Sequence, residues 1–184
     1  MSKIITPTFE TQRLILRELT LSDKESYQKN FNNYEVIKNL SAAVPWPYPE
    51  NGAEFFIQNI VKPNQGITRW DWAITLKTHP SEVIGSIGLF HPGAPENRGF
   101  WLAQKYWGQG LMTEAVTPVT EFAFNILNLN ELVFANAVGN TKSRRVKEKT
   151  GATFSESRPL KFVNPDFTHS EYWKLSKEDW LKSR

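Results

Sequence analysis

The run Phe100–Val116, FWLAQKYWGQGLMTEAV, limits what this chain can become more than any other stretch. It opens apolar and β-prone, closes with helical spacing, and places Gly108 and Gly110 between the two. A strand that turns through Gly-x-Gly into a helix gathers backbone N–H groups at one point. The first-turn amides of a helix have no intrahelical acceptor, and the helix dipole adds positive charge there. Two readings fit the glycines: they supply positive φ to a tight turn, or they clear space for a phosphate-bearing ligand on the helix end. The neighbouring residues carry neither the Gly-x-x-x-x-Gly-Lys-Ser/Thr of a P-loop nor the third glycine of a dinucleotide fingerprint.

Around this turn the sequence predicts strands at Arg13–Leu19 and Arg98–Leu102, and a hairpin of Arg69–Leu76 with Ser81–Phe90 joined by KTHP. Ser22 and Glu25 have the S-x-x-E spacing of a capping box ahead of a first helix. The proline-rich loop Ala42–Asn51 leads into the helical pattern NGAEFFIQNIVK. Leu111–Ile126 reads as a helix, Glu131–Ala137 as a strand and Thr141–Thr150 as a helix. Two more strands follow Gly151, then a short helix capped by Ser176 with Asp179 at its third position. Strands early, a β-α-β-α unit in the middle and a closing strand pair predict an α+β or α/β fold with one mixed sheet and a single domain over residues 1–184.

The absence of cysteine excludes a disulfide framework, a thiolate nucleophile and a Cys-ligated zinc site. A net charge of +3 suits a polyanionic small ligand as well as it suits loose contact with nucleic acid. The N-terminal residues lack a signal-peptide pattern and no apolar run approaches the roughly eighteen residues needed to span a bilayer, so the expectation is a cytoplasmic protein without a membrane partner. KSRRVKEK, Lys142–Lys149, is basic, but lacks the interleaved aromatics of an RNA-binding face; it reads as a solvated helix face, and direct nucleic-acid binding is not expected. His91 and His169 stand near strand ends without metal-ligand or triad spacing, and no metal is expected.

Taken together, FETQRLILREL, GFWLAQKYWGQGLMTEA, VGNTKSRRVKEKTGATF and YWKLSKEDW, in that order along the chain, resemble four motifs of the GNAT acetyltransferases. The branch they resemble contains the ribosomal-protein (Rim-type) N-terminal acetyltransferases. Lys105-Tyr-Trp-Gly108-Gln-Gly110 is similar to the family's Arg/Gln-x-x-Gly-x-Gly/Ala turn except at its first position. The resemblance covers Phe9 to Trp180. It implies a single mixed, mostly antiparallel sheet with splayed central strands, flanked by helices. It also implies direct transfer of an acetyl group from acetyl-CoA to a primary amine.

The resemblance further implies that backbone groups at Leu102 and Ala103 bond the pantetheine arm and that amides of Trp107, Gly108, Gln109, Gly110, Leu111, Met112 and Thr113 cradle the pyrophosphate. Asn140 and Ser143 match positions that contact the cofactor in relatives, and Asn140 is equally a natural helix N-cap. Where many relatives place a tyrosine as general acid, this sequence has Lys147, so that role does not carry over; Ser143 is the nearest hydroxyl. Glu96 is the candidate base, although Asn97 stands in the closer register. Trp46, Tyr48 and Phe55, with Phe56, would line the acceptor side, or else pack in the core. The acceptor implied is a protein or peptide N-terminal α-amine or a small primary amine, and the protein a monomer or homodimer. A catalytically inactive acyl-CoA sensor is the rival reading.

Overall fold

The structure, a computed structural model, describes residues 3–183, so the predicted domain limits at 1 and 184 fall just outside it. Eight strands form one sheet in the order β1-β2-β3-β4-β5-β6-β8-β7: β1 Phe9–Glu10, β2 Leu14–Glu18, β3 Arg69–Leu76, β4 His79–Phe90, β5 Arg98–Leu102, β6 Glu131–Ala137, β7 Thr153–Pro159 and β8 His169–Ser176. Every neighbouring pair is antiparallel except β5 and β6, which run parallel. The predicted mixed, mostly antiparallel sheet is therefore observed.

The helices divide between the two faces. α5, Leu111–Asn125, buries Ala115, Val116, Val119 and Phe122 against Leu14, Leu16, Trp72, Ile74 and Leu89. On the other face α1 (Lys24–Phe31), α2 (Tyr34–Ile37), α3 (Gly52–Phe55) and the π-helical turn Phe56–Val61 enclose a second core of Tyr27, Phe31, Ile57, Val61, Ala73 and Trp101. α4, Lys62–Asn64, follows that turn directly. β3 is covered on both sides, which is why it is buried without interruption from Trp70 to Thr75, Asp71 and Thr75 included. Each large apolar side chain so buried contributes about 1.5–3 kcal/mol. α6, Thr141–Lys149, and α7, Lys177–Lys182, complete the chain, and β7 is an exposed edge strand that ends at Pro159. No helix among the described residues is long and apolar enough to cross a membrane.

Two local expectations are corrected. The first helix is not opened by a Ser22–Glu25 box: Asp23 instead accepts from the backbone N–H of Thr20 at 2.9 Å, which starts a 3-10 turn at Leu21–Asp23 that runs into α1. Asp23 wins because Arg17 grips its two oxygens at 2.9 and 2.7 Å. The KTHP connection is tighter than predicted, since β4 already starts at His79 and only Lys77 and Thr78 turn. The cap of α7 is as predicted, with the Ser176 hydroxyl accepting from Asp179 N–H at 3.0 Å.

Candidate active site

A cleft of about 580 Å³ opens where β5 and β6 part. The two strands share one aligned pair, Arg98 opposite Phe134, before they diverge. Two side chains and one main-chain bond close the base of this gap. The Asn97 amide oxygen accepts from Val133 N–H at 2.9 Å, and Asn97 N–H donates to the Val133 carbonyl at 2.7 Å. The Glu96 carboxylate takes the N–H of Ala135. Beyond that point the β6 edge faces open space.

The alternation of the β4–β5 ladder decides which β5 amides face the gap. Ala103 N–H donates to the Ile84 carbonyl at 2.8 Å, so its neighbour Leu102 turns toward β6. Of the two residues expected to bond a pantetheine arm, Leu102 therefore presents its amide to the cleft, whereas that of Ala103 is spent within the sheet. The Leu102 carbonyl accepts Trp107 Nε1–H at 2.7 Å, which pins the loop to the strand end.

That loop ends at Gly108 and Gly110, both at φ +75°, a region in which side-chain-bearing residues are strained. A Cβ on Gly108 would meet nothing within 4 Å, so the space in front of the loop is free. Gly110 is the N-cap of α5 and has no side chain to occupy the helix amides, which leaves the N-terminus of a fifteen-residue helix uncapped beside the cleft. The helix start is fixed from outside by Glu114. Its carboxylate accepts from Thr11 Oγ1 at 2.6 Å, Arg13 N–H at 2.7 Å and Arg13 Nε at 2.7 Å. Burial opposes that charge, but these donors outweigh it and hold the carboxyl below its usual range. Arg13 also donates to the Gln109 carbonyl at 3.0 Å, tethering the middle of the loop. Trp107, Gly108, Gly110, Leu111, Met112 and Thr113 border the cleft; Gln109 turns outward to Arg13.

The opposite wall is the start of α6. Asn140 caps it, its side chain accepting from Ser143 N–H at 3.2 Å, and both residues line the cleft. Lys142 lies over the Trp107 ring at 4.8 Å and bridges the two walls. Behind Ser143 sits Lys147, only 1% exposed, which donates to Asn136 Oδ1 at 2.8 Å and Ser143 Oγ at 2.9 Å. Burial, and secondarily the Arg98 charge, lower its ammonium pKa to about 7, while Glu96 and Glu171 act in the opposite sense. Arg98 is itself 2% exposed and lowered to about 9 by burial, with one nitrogen donating to Thr120 Oγ1 at 3.1 Å and the guanidinium 3.8 Å from the Phe134 ring centre. The basic run KSRRVKEK is therefore not wholly a solvated face: Lys147 is interior and Arg144 is paired with Glu171.

Glu96 borders the cleft, half-buried, its carboxyl raised by burial. His91 and His169 are exposed and stand outside it. The predicted acceptor-side residues are not brought there. Phe55 is 58% exposed, Trp46 is 41% exposed and packs on Tyr34, and Tyr48 lies under Gly52 and against Phe31 at 4.9 Å. On that side the cleft is lined by Glu35, Lys38 and Leu40, from α2 and the loop after it. Sequence reasoning missed Asn136, Arg98 and the latch of Arg13 and Glu114. The one signal for a buried Lys147 is its place on the α6 face shared by Ser143 and Thr150.

The arrangement fits coenzyme A. An interrupted parallel ladder, an uncapped helix start and a positive-φ glycine with free space before it face one cleft. Residues 13–153 match the family model described as an acetyltransferase (GNAT) domain. The chain is 30% identical to FsC-acetyl coenzyme A-N(2)-transacetylase of Aspergillus fumigatus, over 96% of this chain and 79% of that protein. It is 35% identical to YdaF of Bacillus subtilis, provisionally named a ribosomal N-acetyltransferase, over 45% of each chain, so this match spans less than half of that relative. The solved structure of Mycobacterium smegmatis RimJ in complex with CoA-disulfide superposes with a TM-score of 0.79 at 14% identity, covering 94% of this chain and 88% of that one. The chain belongs to the GNAT acetyltransferase family and is an N-acetyltransferase.

Proposed function

We propose that the protein transfers the acetyl group of acetyl-CoA to a primary amine, the N-terminal α-amine of a protein or peptide, with both substrates held in the cleft between β5 and β6. The observation that carries this reading is the meeting of the uncapped α5 start, behind Gly108 and Gly110, with the interrupted β5–β6 ladder. Amides of Gly108 and of Gly110 to Thr113 hold the pyrophosphate, Leu102 N–H holds the pantetheine, and Asn140 and Ser143 border the cofactor from α6. The cofactor supplies its acetyl group as an activated thioester.

An incoming ammonium must shed a proton before it can attack. Glu96 takes it: the carboxylate borders the cleft, and its raised pKa moves it toward the range of a working base. The name of YdaF and the four family motifs support a protein acceptor, while the cleft wall at Glu35 and Lys38 contains no dense acidic cluster for a polycation.

Calorimetric titration with acetyl-CoA, followed in the same sample by thiol release on adding a peptide pool and then a small-amine pool, tests the reading. Binding with release from peptides supports it. Release only from small amines would replace the acceptor, binding without release from either pool would make the protein an acyl-CoA sensor, and no binding would remove the cofactor assignment.

A further inference from the structure

The side chains of Ser143, Lys147 and Asn136 lead from the cleft into the interior, and the function above does not use them as a unit. Asn136 Nδ2 donates to the Ala137 carbonyl at 2.9 Å and to the Glu171 carboxylate at 3.2 Å, which turns its Oδ1 to Lys147, whose Nζ donates to it at 2.8 Å. The same Nζ lies 2.9 Å from Ser143 Oγ, and Ser143, one turn earlier on α6, borders the cleft. A lysine that needed only to be neutralised would be expected to end on a carboxylate; here both partners are uncharged oxygens, and Glu171 is paired with Arg144. As the neutral amine, Lys147 keeps one N–H on Asn136 and offers its lone pair to the Ser143 hydroxyl, which then donates to it. A hydroxyl held by a buried amine, itself oriented by a third side chain, is the arrangement of a nucleophile with its base.

We propose that Ser143 is a nucleophile that takes the acetyl group from CoA as an ester before the amine receives it, with Lys147 as its base and Asn136 fixing the direction of Lys147. The inference rests on the acetyl-CoA reading above and replaces the direct transfer implied by the family resemblance with two steps. In the first, the Ser143 hydroxyl proton passes to Lys147 as Oγ bonds to the thioester carbon. The C–S bond breaks with its electron pair on sulfur, and CoA leaves as a thiolate that takes a proton from water. In the second, the acceptor nitrogen bonds to the ester carbon, the C–Oγ bond breaks with its electron pair on oxygen, and Oγ recovers its proton from Lys147. The acceptor ammonium sheds its two surplus protons through Glu96 and water, so the cycle closes without any further reactant.

Burial separates the two roles. Lys147 is shut away from solvent and has no path to a thioester, whereas Ser143 is half-buried at the cleft. Arg98 on β5 destabilises the Lys147 ammonium, while Glu96 before β5 and Glu171 on β8 stabilise it. On α6 itself, Arg144 is paired with Glu171 and Glu148 is exposed. Burial first, and then the Arg98 charge, lower the ammonium pKa to about 7, so from neutral pH upward the amine is free to accept the hydroxyl proton. A lysine at its ordinary value would be protonated there and could not serve as a base.

The test needs no acceptor. The protein is mixed with excess acetyl-CoA, whose binding is checked by calorimetry for each variant; thiol release is followed, and acid-quenched protein is peptide-mapped by mass spectrometry. The wild type is expected to release about one thiol per chain in a burst and to carry the acetyl group on Ser143, removable by neutral hydroxylamine as an ester is. The burst is expected to quicken as pH rises through about 7, because the neutral form of Lys147 drives it. Ser143→Ala, which removes only an oxygen, abolishes burst and ester, and Lys147→Met slows both about 10²-fold or more and removes the pH dependence. Binding without Ser143-dependent thiol release overturns the proposal, as does an acetyl group found as an amide on Lys147. Should Lys147→Met fail to fold, the wild-type burst decides the part of Lys147, and a rate that stays flat across neutral pH overturns it. Failure of the wild type to bind acetyl-CoA would remove the acetyl-CoA reading itself, a result distinct from normal binding without release.

Discussion

Gly108 and Glu96 make separate demands on the site and can be tested separately. At φ +75° a β-branched residue costs about 1–2 kcal/mol, and in Gly108→Val its side chain would also project into the free space where a pyrophosphate is expected. Acetyl-CoA affinity measured by calorimetry is expected to fall at least tenfold, with the circular dichroism spectrum unchanged. Glu96→Gln keeps an oxygen for Ala135 N–H but cannot take a proton. Turnover is expected to fall by about 10²-fold or more while acetyl-CoA affinity stays within a few-fold. A variant with wild-type turnover would remove Glu96 from the reaction.

Among the elements, the tie between β2 and α5 governs the geometry of the phosphate loop. Glu114→Ala removes three hydrogen bonds that join the N-terminal turn to the helix, and it frees Arg13 from its contact with the loop carbonyl of Gln109. Chemical denaturation is expected to show a loss of about 1–2 kcal/mol, accompanied by weaker cofactor binding, because an unfixed loop must be ordered by the ligand. Most elements were legible for reasons that are local. The bounds of β5 and β6 coincide with the predicted strands because turn residues and β-prone runs mark them in the chain. The α7 cap is legible because a serine and the amide three residues on need nothing else. The acceptor-side aromatics were not, since the places of Tyr48 and Phe55 depend on how a π-turn and Gly52 fit against α1. Lys147 was hidden for the same reason: five of the eight residues of KSRRVKEK are lysine or arginine, and only tertiary packing selects the one that goes inside.

For the molecule as a whole, that choice sets how stability varies with pH. Lys147 titrates near 7 when folded and at the ordinary lysine value when unfolded, so between those values the unfolded chain binds more protons and folding is favoured as pH rises. The stability of the wild type relative to Lys147→Met is expected to improve by about 2 kcal/mol from pH 7 to pH 9, measured by denaturant unfolding at both. A difference that does not change with pH would mean that Lys147 keeps an ordinary affinity for protons.

The seam at Asn97 and Glu96 has its own consequence. In most sheets the distance between neighbouring strands is dictated by the backbone and is beyond the reach of a point mutation. Here two side chains join the one main-chain bond from Asn97 N–H to the Val133 carbonyl in holding β6 to β5. Their length helps set how far the strands part above that base, so the size of what enters can be changed at one or two codons while the strands on either side keep their pairing with β4 and β8.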